Sequence, residues 1–528
     1  MPTVNAQSAP TSDRQLASMI GRNTIFGIAA NGVQVGSRFI MVPVVIHHLG
    51  LGGYGIWSII MATAGYMRFG SAGLKSAFQK YVAEATGTGD YETANKLLST
   101  GSISMLAISL VGLIPIAIYS QNLARISGVP PEFLGAAAGA ITLLALTMIM
   151  ANFGAAFESI LMGAQRIDLT RTFNVVTTLL EAIAIIVLLH FGHGLFAMAI
   201  VMAVSELAYV VCCFIASRRI VPQIQIRLSH VTRSVSGELI RFAGSYQLVN
   251  VLEVLYVVLL PVTILKFFGE EAAGVYALAT RLVTAVLMGQ DALILPLLSG
   301  GAVIFATGSP EQLARFFKQS FKVTVAITLL PLAFVAAFGA LLVFAWTGQI
   351  GNHLSDAIWL LCLGGFFNSI SRLQLILYRA SGHALHDNIR QAFRLGVLGV
   401  FSIFGHALGF DGVLLGLAAA GLIGVIYMFI AMASTLSFFS PKLFVPDTLR
   451  FLAATVGIVV VGIAVQMIPV PWEVSEHATA LIKLGEVSLA CLIASCPAFA
   501  LTGAMSVEGQ RATLNLLVPR RQTALLGD

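Results

Sequence analysis

Charged residues are scarce in this chain of 528 residues. Asp, Glu, Lys and Arg together make up 10% of the sequence, whereas hydrophobic residues make up 57%. A soluble globular protein carries about 25% charged residues, so this composition excludes an ordinary soluble enzyme, a disordered protein and a nucleic-acid-binding protein. A mean hydropathy of +0.90 over the whole chain indicates instead a protein that lipid surrounds.

Cysteine is also rare, and the five cysteines all lie in apolar stretches without histidine at the spacing of a metal site. We therefore expect no disulfides, no metal site and no bound cofactor. The first 22 residues are polar and show no cleavage signal after a short apolar core, so no cleaved signal peptide is predicted. The cysteines are Cys212, Cys213, Cys362, Cys491 and Cys496.

Long apolar runs of about 20 residues, separated by polar breaks, predict an all-α polytopic membrane protein with about 14 transmembrane helices. The eleventh run is the shortest. The predicted spans are residues 23–48, 54–74, 97–119, 134–162, 173–190, 195–216, 242–267, 274–299, 323–345, 357–378, 395–408, 413–437, 450–468 and 480–503.

Basic residues are unevenly distributed among the segments that connect the predicted spans. If the N-terminus is cytoplasmic, 23 of the 30 Lys and Arg residues lie in cytoplasmic segments, and only Arg125, Lys266 and Lys483 lie on the opposite side. Basic residues accumulate in cytoplasmic loops, so both termini are predicted to be cytoplasmic. The net charge of +6 follows from this bias and does not indicate an acidic partner such as nucleic acid.

Three short patterns recur at a single offset of 219 residues, and each lies at the end of a predicted span. The offset contains six spans, so both copies keep one orientation, as in parallel repeats whose substrate site lies between them. The pairs are Gly50-x4-Gly55-x-Trp57 with Gly269-x4-Gly274-x-Tyr276, Thr88-Gly89-x2-Glu92-x3-Lys96 with Thr307-Gly308-x2-Glu311-x3-Arg315, and Gly163-x4-Asp168-x2-Arg171 with Gly382-x4-Asp387-x2-Arg390.

This repeat predicts five parts of the chain: two six-helix lobes, the linker that joins them, and two ends. They are a cytoplasmic N-terminal tail (1–22), an N-terminal lobe (23–216), a basic cytoplasmic linker (217–241), a C-terminal lobe (242–438), and two extra transmembrane helices with a cytoplasmic tail (439–528).

Polar residues inside the spans indicate a substrate-binding cavity. Asn31, Gln34 and Arg38 share one face of span 1, and Asn250 and Glu253 share the corresponding face of span 7. A charged side chain at the bilayer centre costs roughly 2.5–3.5 kcal/mol, so it normally faces protein or water. The alternative is that these groups only satisfy one another between packed helices.

Four arginines, three acids and two prolines complete the candidate site. Arginines within spans suit an anionic ligand such as a phosphate, although two of them, Arg68 and Arg372, could instead extend to the membrane surface. The acids could couple transport to a proton or sodium gradient or pair with the arginines, and the prolines could bend a helix or act as hinges. The residues are Arg38, Arg68, Arg281 and Arg372; Glu181, Glu206 and Asp291; and Pro43 and Pro261.

Two segments carry a family resemblance. The run from His48 to Trp57, HLGLGGYGIW, and the stretch from Lys80 to Glu84, which Gly89-Asp90 and Asn95 follow, resemble the opening signature of bacterial polysaccharide flippases. These flippases belong to the multidrug/oligosaccharidyl-lipid/polysaccharide exporter superfamily. The resemblance covers roughly residues 20–105. One departure is Ser71-Ala72-Gly73-Leu74, where relatives often carry an acidic residue before Leu-Gly-Leu.

The resemblance implies a transporter and not an enzyme: a flippase in the bacterial cytoplasmic (inner) membrane that works by alternating access. Its substrate would be a polyprenyl-pyrophosphate-linked oligosaccharide, such as a capsule, exopolysaccharide or O-antigen repeat unit. A polysaccharide polymerase and export machinery would be its partners besides the bilayer. Related peptidoglycan-precursor flippases are similar in placing arginines in their cavity, as Arg38, Arg68 and Arg281 are placed here.

Two alternatives belong to other functional classes. A cation-coupled multidrug exporter of the same superfamily typically has 12 spans and an acidic cavity, whereas this chain has four arginines within its predicted spans. A membrane polysaccharide polymerase or ligase needs a sizeable extracytoplasmic loop, and the longest one predicted here, Gln121–Phe133, has 13 residues.

Overall fold

The structure, a computed structural model, describes residues 13–65, 72–307, 309–349, 351–380, 386–436, 439, 445–469 and 475–502. Nearly all of these residues are helical. Their α-helices are α1 (Asp13–Gly65), α2 (Ala72–Thr88), α3 (Tyr91–Ile126), α4 (Leu134–Gly163), α5 (Ile167–His190), α6 (Leu195–Ile220), α7 (Arg233–Thr307), α8 (Pro310–Thr347), α9 (Leu354–Ala380), α10 (His386–Phe404), α11 (Phe410–Thr435), α12 (Val445–Gln466) and α13 (Glu476–Leu501), with short 3₁₀ turns at Leu228–His230 and Gly405–Leu408.

Eleven stretches of the described residues are long and apolar enough to cross a membrane. The prediction of an all-α membrane protein is therefore confirmed. Predicted span 1 and residues 54–65 of predicted span 2 fall in α1, and predicted spans 7 and 8 both fall in α7.

The eleventh predicted span, 395–408, has different bounds in the structure. Helix α10 begins nine residues earlier, at His386, and ends at Phe404. Its first two turns are rich in polar residues, which a hydropathy window excludes although the helix runs through them. Residues 75–96, predicted to connect two spans, are likewise mostly helical in α2 and the start of α3.

The helices repeat at the same offset as the sequence patterns. Non-helical backbone angles interrupt α1 at Gly50, with φ 73°, and α7 at Gly269, with φ 84°. These two residues are 219 positions apart, as are Tyr91 and Pro310, the first residues of α3 and α8. A positive φ favours glycine because a Cβ would clash with the backbone. The internal repeat of helices is thus confirmed.

Equivalent residues also cap the equivalent helices α3 and α8. The Asp90 carboxylate accepts a hydrogen bond from the backbone N–H of Thr93, and Ser309 accepts one from the backbone N–H of Gln312 in a capping box. Both caps satisfy backbone donors that a helix start leaves without partners. The hydrogen bonds from Thr93 lower the pKa of Asp90 below its ordinary value.

Contacts along the chain divide it into a first unit, Met1–Ala277, and a second unit, Leu278–Asp528. In the first unit, α2, α3, α4 and α6 share a core that includes Val82, Leu98, Ile160 and Cys213. The lobe boundaries predicted at residues 216 and 242 stay a prediction.

Two buried clusters lie among the described residues of the second unit. One joins α8, α9, α11 and α12 around residues such as Phe317, Tyr378 and Phe451. The other joins α8 to α12 and α13 through Phe338 and Val487. Helices α12 and α13, the two outside the repeat, therefore pack on α8.

Two repeat-equivalent glycines bring helix backbones into direct contact within the first unit. A Cβ added to Gly55 would lie 2.5 Å from the backbone N of Gly274, and a Cβ added to Gly274 would collide with the carbonyl oxygen of Leu51. The second part of α1 and the part of α7 just after Gly269 can approach this closely only because both residues lack a side chain.

We expect Gly274→Ala to destabilise the protein, because its new methyl group meets backbone that cannot rotate away. Overpacking of this kind typically costs about 1–3 kcal/mol. Gly399→Ala is the matched control, since a Cβ there would meet nothing within 4 Å and alanine favours a helix by about 0.5–1 kcal/mol over glycine. Thermal unfolding of the purified variants in detergent compares them. Equal melting temperatures for the two variants would contradict the close contact.

Candidate functional site

Helices α1 and α5 pack against each other in the first unit, and polar side chains meet at their contact. The side-chain amide of Gln34 donates a hydrogen bond to Oδ1 of Asn174, and Gln34 is half-buried. The hydrogen bond gives each of the two amides a polar partner. Of the residues predicted to line a cavity, Gln34 thus has a defined partner on another helix.

Arg38 lies one helical turn beyond Gln34, so its side chain points to the same side of α1. On α5, Glu181 lies seven residues, about two turns, after Asn174 and therefore also shares its face. Arg38 and Glu181 attract each other electrostatically. The Arg38 side chain is exposed in the fold, and Glu181 is half-buried.

Helix α6 adds a second acid and a hydroxyl to this site. The Ser205 hydroxyl donates a hydrogen bond to the carbonyl oxygen of Thr177 at 3.2 Å and lies close to the Glu181 carboxylate. Glu206, the next residue, is close enough to Glu181 for the two carboxylates to repel each other. We call Gln34, Arg38, Asn174, Glu181, Ser205 and Glu206 the polar cluster.

The polar cluster combines one guanidinium with two carboxylates. The guanidinium can bind two oxygens of a phosphate or carboxylate at once and stays protonated at any working pH. The carboxylates can accept a proton or bind a cation. This combination suits an anionic ligand, an ion that exchanges with it, or both.

The other candidate arginines lie elsewhere or outside the described residues. Arg281 is half-buried on α7, and Arg372 is exposed on α9, both in the second unit. Arg68 lies outside the described residues. Only the backbone is described for four further candidates. They are Asn31 in α1 and Asn250, Glu253 and Asp291 in α7.

Both candidate hinge prolines lie within continuous helix. Pro43 lies in α1 and Pro261 in α7, whereas the backbone angles leave the helical range at Gly50 and Gly269. The hinge role of the prolines stays a prediction. The kinks that the backbone angles show are located at these two glycines.

Sequence reasoning missed two buried arginines in the second unit. Arg390 is 5% and Arg394 2% exposed; a guanidinium N–H of Arg390 donates to Ser371 Oγ at 3.2 Å, and one of Arg394 donates to Gln391 Oε1 at 2.6 Å. Both had been placed in a cytoplasmic connection, because α10 starts earlier than its hydropathy suggests. Their spacing of four residues, one helical turn, was the signal that could have found them.

The chain matches one family over more than half of its length. The sequence profile described as "Polysaccharide biosynthesis protein" matches residues 20–299. A relative from Bacillus subtilis (strain 168), the "Uncharacterized membrane protein EpsK", is 23% identical over 329 residues, which cover 61% of this chain. The match spans 64% of the length of EpsK, which is less than two thirds.

Solved structures of transporters share the fold. "Lipid II flippase MurJ, inward closed conformation" is similar with a TM-score of 0.67 and 16% identity, over 90% of this chain and 99% of that one. An inward-facing "multidrug resistance MATE family transporter of the MOP superfamily" is similar with a TM-score of 0.58 and 17% identity, over 79% and 94% of the two chains. At these identities the likeness shows the fold alone.

A double-mutant cycle tests whether Arg38 and Glu181 interact. We expect their coupling free energy, from Arg38→Ala, Glu181→Ala and the double variant, to lie in the range of about 0.5–3 kcal/mol typical of residues in one charged network. The control pair is Glu92 and Lys96, an exposed pair one turn apart with 2.5 Å between Oε1 and Nζ, for which about 0.3–0.5 kcal/mol is typical. Reversible unfolding in detergent measures both. A coupling no larger than that of the control pair would contradict the interaction.

Proposed function

The chain belongs to the polysaccharide biosynthesis protein family, and on this premise we propose that it is a flippase for a polyprenyl-pyrophosphate-linked oligosaccharide. Such a substrate would be a repeat unit of a capsule, an exopolysaccharide or an O-antigen. The observation that carries the proposal is the polar cluster, in which Arg38 of a membrane-spanning helix lies near Glu181, an acid that can take up a proton. The fold that the chain shares with transporters supports movement by alternating access.

Arg38 is the residue that we propose to bind the pyrophosphate. A diphosphate brings at least two negative charges, and a guanidinium can hold two of its oxygens in a planar, bidentate contact. In the substrate-free protein, Glu181 takes the place of the phosphate as the partner of Arg38. Arg281, on the other copy of the repeat, is the proposed second contact. Arg68, Arg372, Asn31, Gln34, Asn250 and Glu253 are the further proposed binding residues.

The acids provide a way to couple transport to an ion gradient. Protonation of Glu181 removes its negative charge and thereby its attraction for Arg38, which frees the guanidinium for the substrate. A sodium ion bound between Glu181 and Glu206 acts in the same direction, because it neutralises the same charges. Asp291 is a third candidate for this role. No other cofactor is part of the proposal.

The proposed location is the bacterial cytoplasmic membrane, with both termini in the cytoplasm. The basic residues of the connecting segments support the orientation, and the family resemblance supports the choice of membrane. The oligosaccharide lies in the protein while its lipid tail stays in the bilayer. A polysaccharide polymerase and the export machinery receive the substrate after it crosses.

A multidrug exporter is the second candidate function. The paired acids Glu181 and Glu206 favour it, because carboxylates suit a cationic drug and a coupling ion. The two candidates differ in the sign of the charge that the substrate carries. An anionic lipid-linked sugar requires Arg38, whereas a cationic drug is repelled by it.

Replacement of the two arginines tests the flippase directly. We expect Arg38→Ala and Arg281→Ala each to reduce glycan export more than tenfold, since each removes a charged, bidentate contact to the pyrophosphate of the bound substrate. Arg→Lys at either position keeps the positive charge but loses the planar, bidentate hydrogen-bonding geometry of the guanidinium. Export should therefore fall less than in the alanine variants. The assay is complementation of a deletion strain, with accumulation of lipid-linked repeat units on the cytoplasmic leaflet as a second readout.

Arg218→Ala is the control for these variants, because Arg218 is exposed in the last turn of α6 and outside the polar cluster. Immunoblots of membranes confirm equal levels of all variants. Normal export by both alanine variants at normal levels would rule out the proposed role of the arginines. Normal glycan export in the deletion strain itself would rule out the flippase.

Cysteine labelling tests the orientation. A single cysteine at Ser229, which is exposed in the segment between α6 and α7, should react with a membrane-impermeant thiol reagent only after the cells are opened. A single cysteine at Glu132, between α3 and α4 and also exposed, should react in intact cells, because basic residues are scarce on that side. Labelling of Ser229→Cys in intact cells would show that the orientation is the opposite of the proposed one.

A further inference from the structure

Three side chains of metal-ligand type, from two segments of the sequence, meet in the second unit. His353 precedes α9, Asp356 lies in the first turn of α9, and Asp411 lies in the first turn of α11. Their imidazole and carboxylate ligand atoms all lie within 4.8 Å of one another. Between His353 Nδ1 and Asp356 Oδ2 the distance is 4.0 Å.

One oxygen of Asp411 is left without a hydrogen bond. Its Oδ1 atom is closed off from solvent and has no partner. Buried polar atoms are nearly always satisfied, and a carboxylate oxygen without a partner is costly. The atom therefore points to a ligand that would complete its environment.

The position of the acids at helix starts does not account for this arrangement. A carboxylate in the first turn interacts favourably with the helix dipole, which explains why α9 and α11 each begin with an aspartate. It explains neither the convergence of the two helix starts nor the imidazole beside them. Two carboxylates this close repel each other, and a divalent cation would neutralise both.

The donor set identifies the class of ion. One imidazole nitrogen and two carboxylate oxygens are typical ligands of zinc, at about 2.0–2.2 Å, with water in the fourth position. Calcium and magnesium prefer ligand sets made only of oxygen. The His353 and Asp356 side chains are 59% and 63% exposed, so both can rotate toward an ion and leave it a path of entry.

We propose that His353, Asp356 and Asp411 form a binding site for a divalent transition-metal ion, with zinc as its fitting representative. The ion would link the turn before α9 to the start of α11 and so fasten this end of the second unit. The sequence alone predicted no metal site, because the ligands come from two segments more than 50 residues apart and form no spacing motif.

Zinc binding to the purified full-length protein tests the proposal. After treatment with a chelator, the protein should bind about one zinc ion per chain, measured by elemental analysis, and zinc should raise its melting temperature. His353→Asn and Asp411→Asn should each weaken zinc binding more than tenfold. Asparagine is chosen at position 353 because the backbone there has φ 60°, a conformation that asparagine tolerates.

The matched control is His190→Ala. His190 is exposed and lies near His48, with 6.5 Å between the ring centroids, so it belongs to another surface group of imidazoles. This variant should bind zinc as the unmodified protein does. Zinc binding that survives both asparagine variants, or that disappears in His190→Ala, would overturn the proposal, as would displacement of zinc by an equal concentration of calcium.

Discussion

The bilayer offers no hydrogen-bond partner to a backbone N–H or C=O group, and this constraint governs the rest of the structure. Each polar backbone group inside lipid must be satisfied within the protein, which an α-helix does within a single segment. Eleven helical stretches long enough to cross a membrane are the result. The same constraint applies to side chains, so Gln34 hydrogen-bonds to Asn174 on α5 and Arg38 lies within electrostatic range of Glu181 on the same helix.

The repeat shows where the helical backbone can be interrupted inside a long helix. The backbone leaves its helical angles at Gly50 and Gly269, at equivalent points inside α1 and α7, where glycine tolerates a positive φ. Five residues further on, Gly55 and Gly274 let the two helix backbones touch. Glycine thus serves two purposes within one short motif, which is why that motif is recognisable in the sequence at both positions.

The helices could be predicted from the sequence because a segment that crosses lipid must be both apolar and helical, and hydropathy measures the first property. The repeat was predictable for a similar reason, since its motifs lie at helix ends, where the backbone limits the choice of residue. The partners of Gln34 and Arg38 were not predictable residue by residue, because a pairing between helices depends on how they pack. Helix α10 was placed too late, and Arg390 and Arg394 were therefore assigned to a loop although both are buried in the second unit.

An arginine that binds an anionic substrate within the membrane has to meet two opposing demands. Without a substrate it needs a counter-ion, because an isolated charge is costly in a medium of low dielectric constant. With a substrate, that counter-ion has to give way to the phosphate. Glu181 can satisfy both demands, since a carboxylate neutralises Arg38 and can itself be neutralised by a proton. In the proposed flippase, substrate binding and ion coupling would therefore share one pair of charges, Arg38 and Glu181.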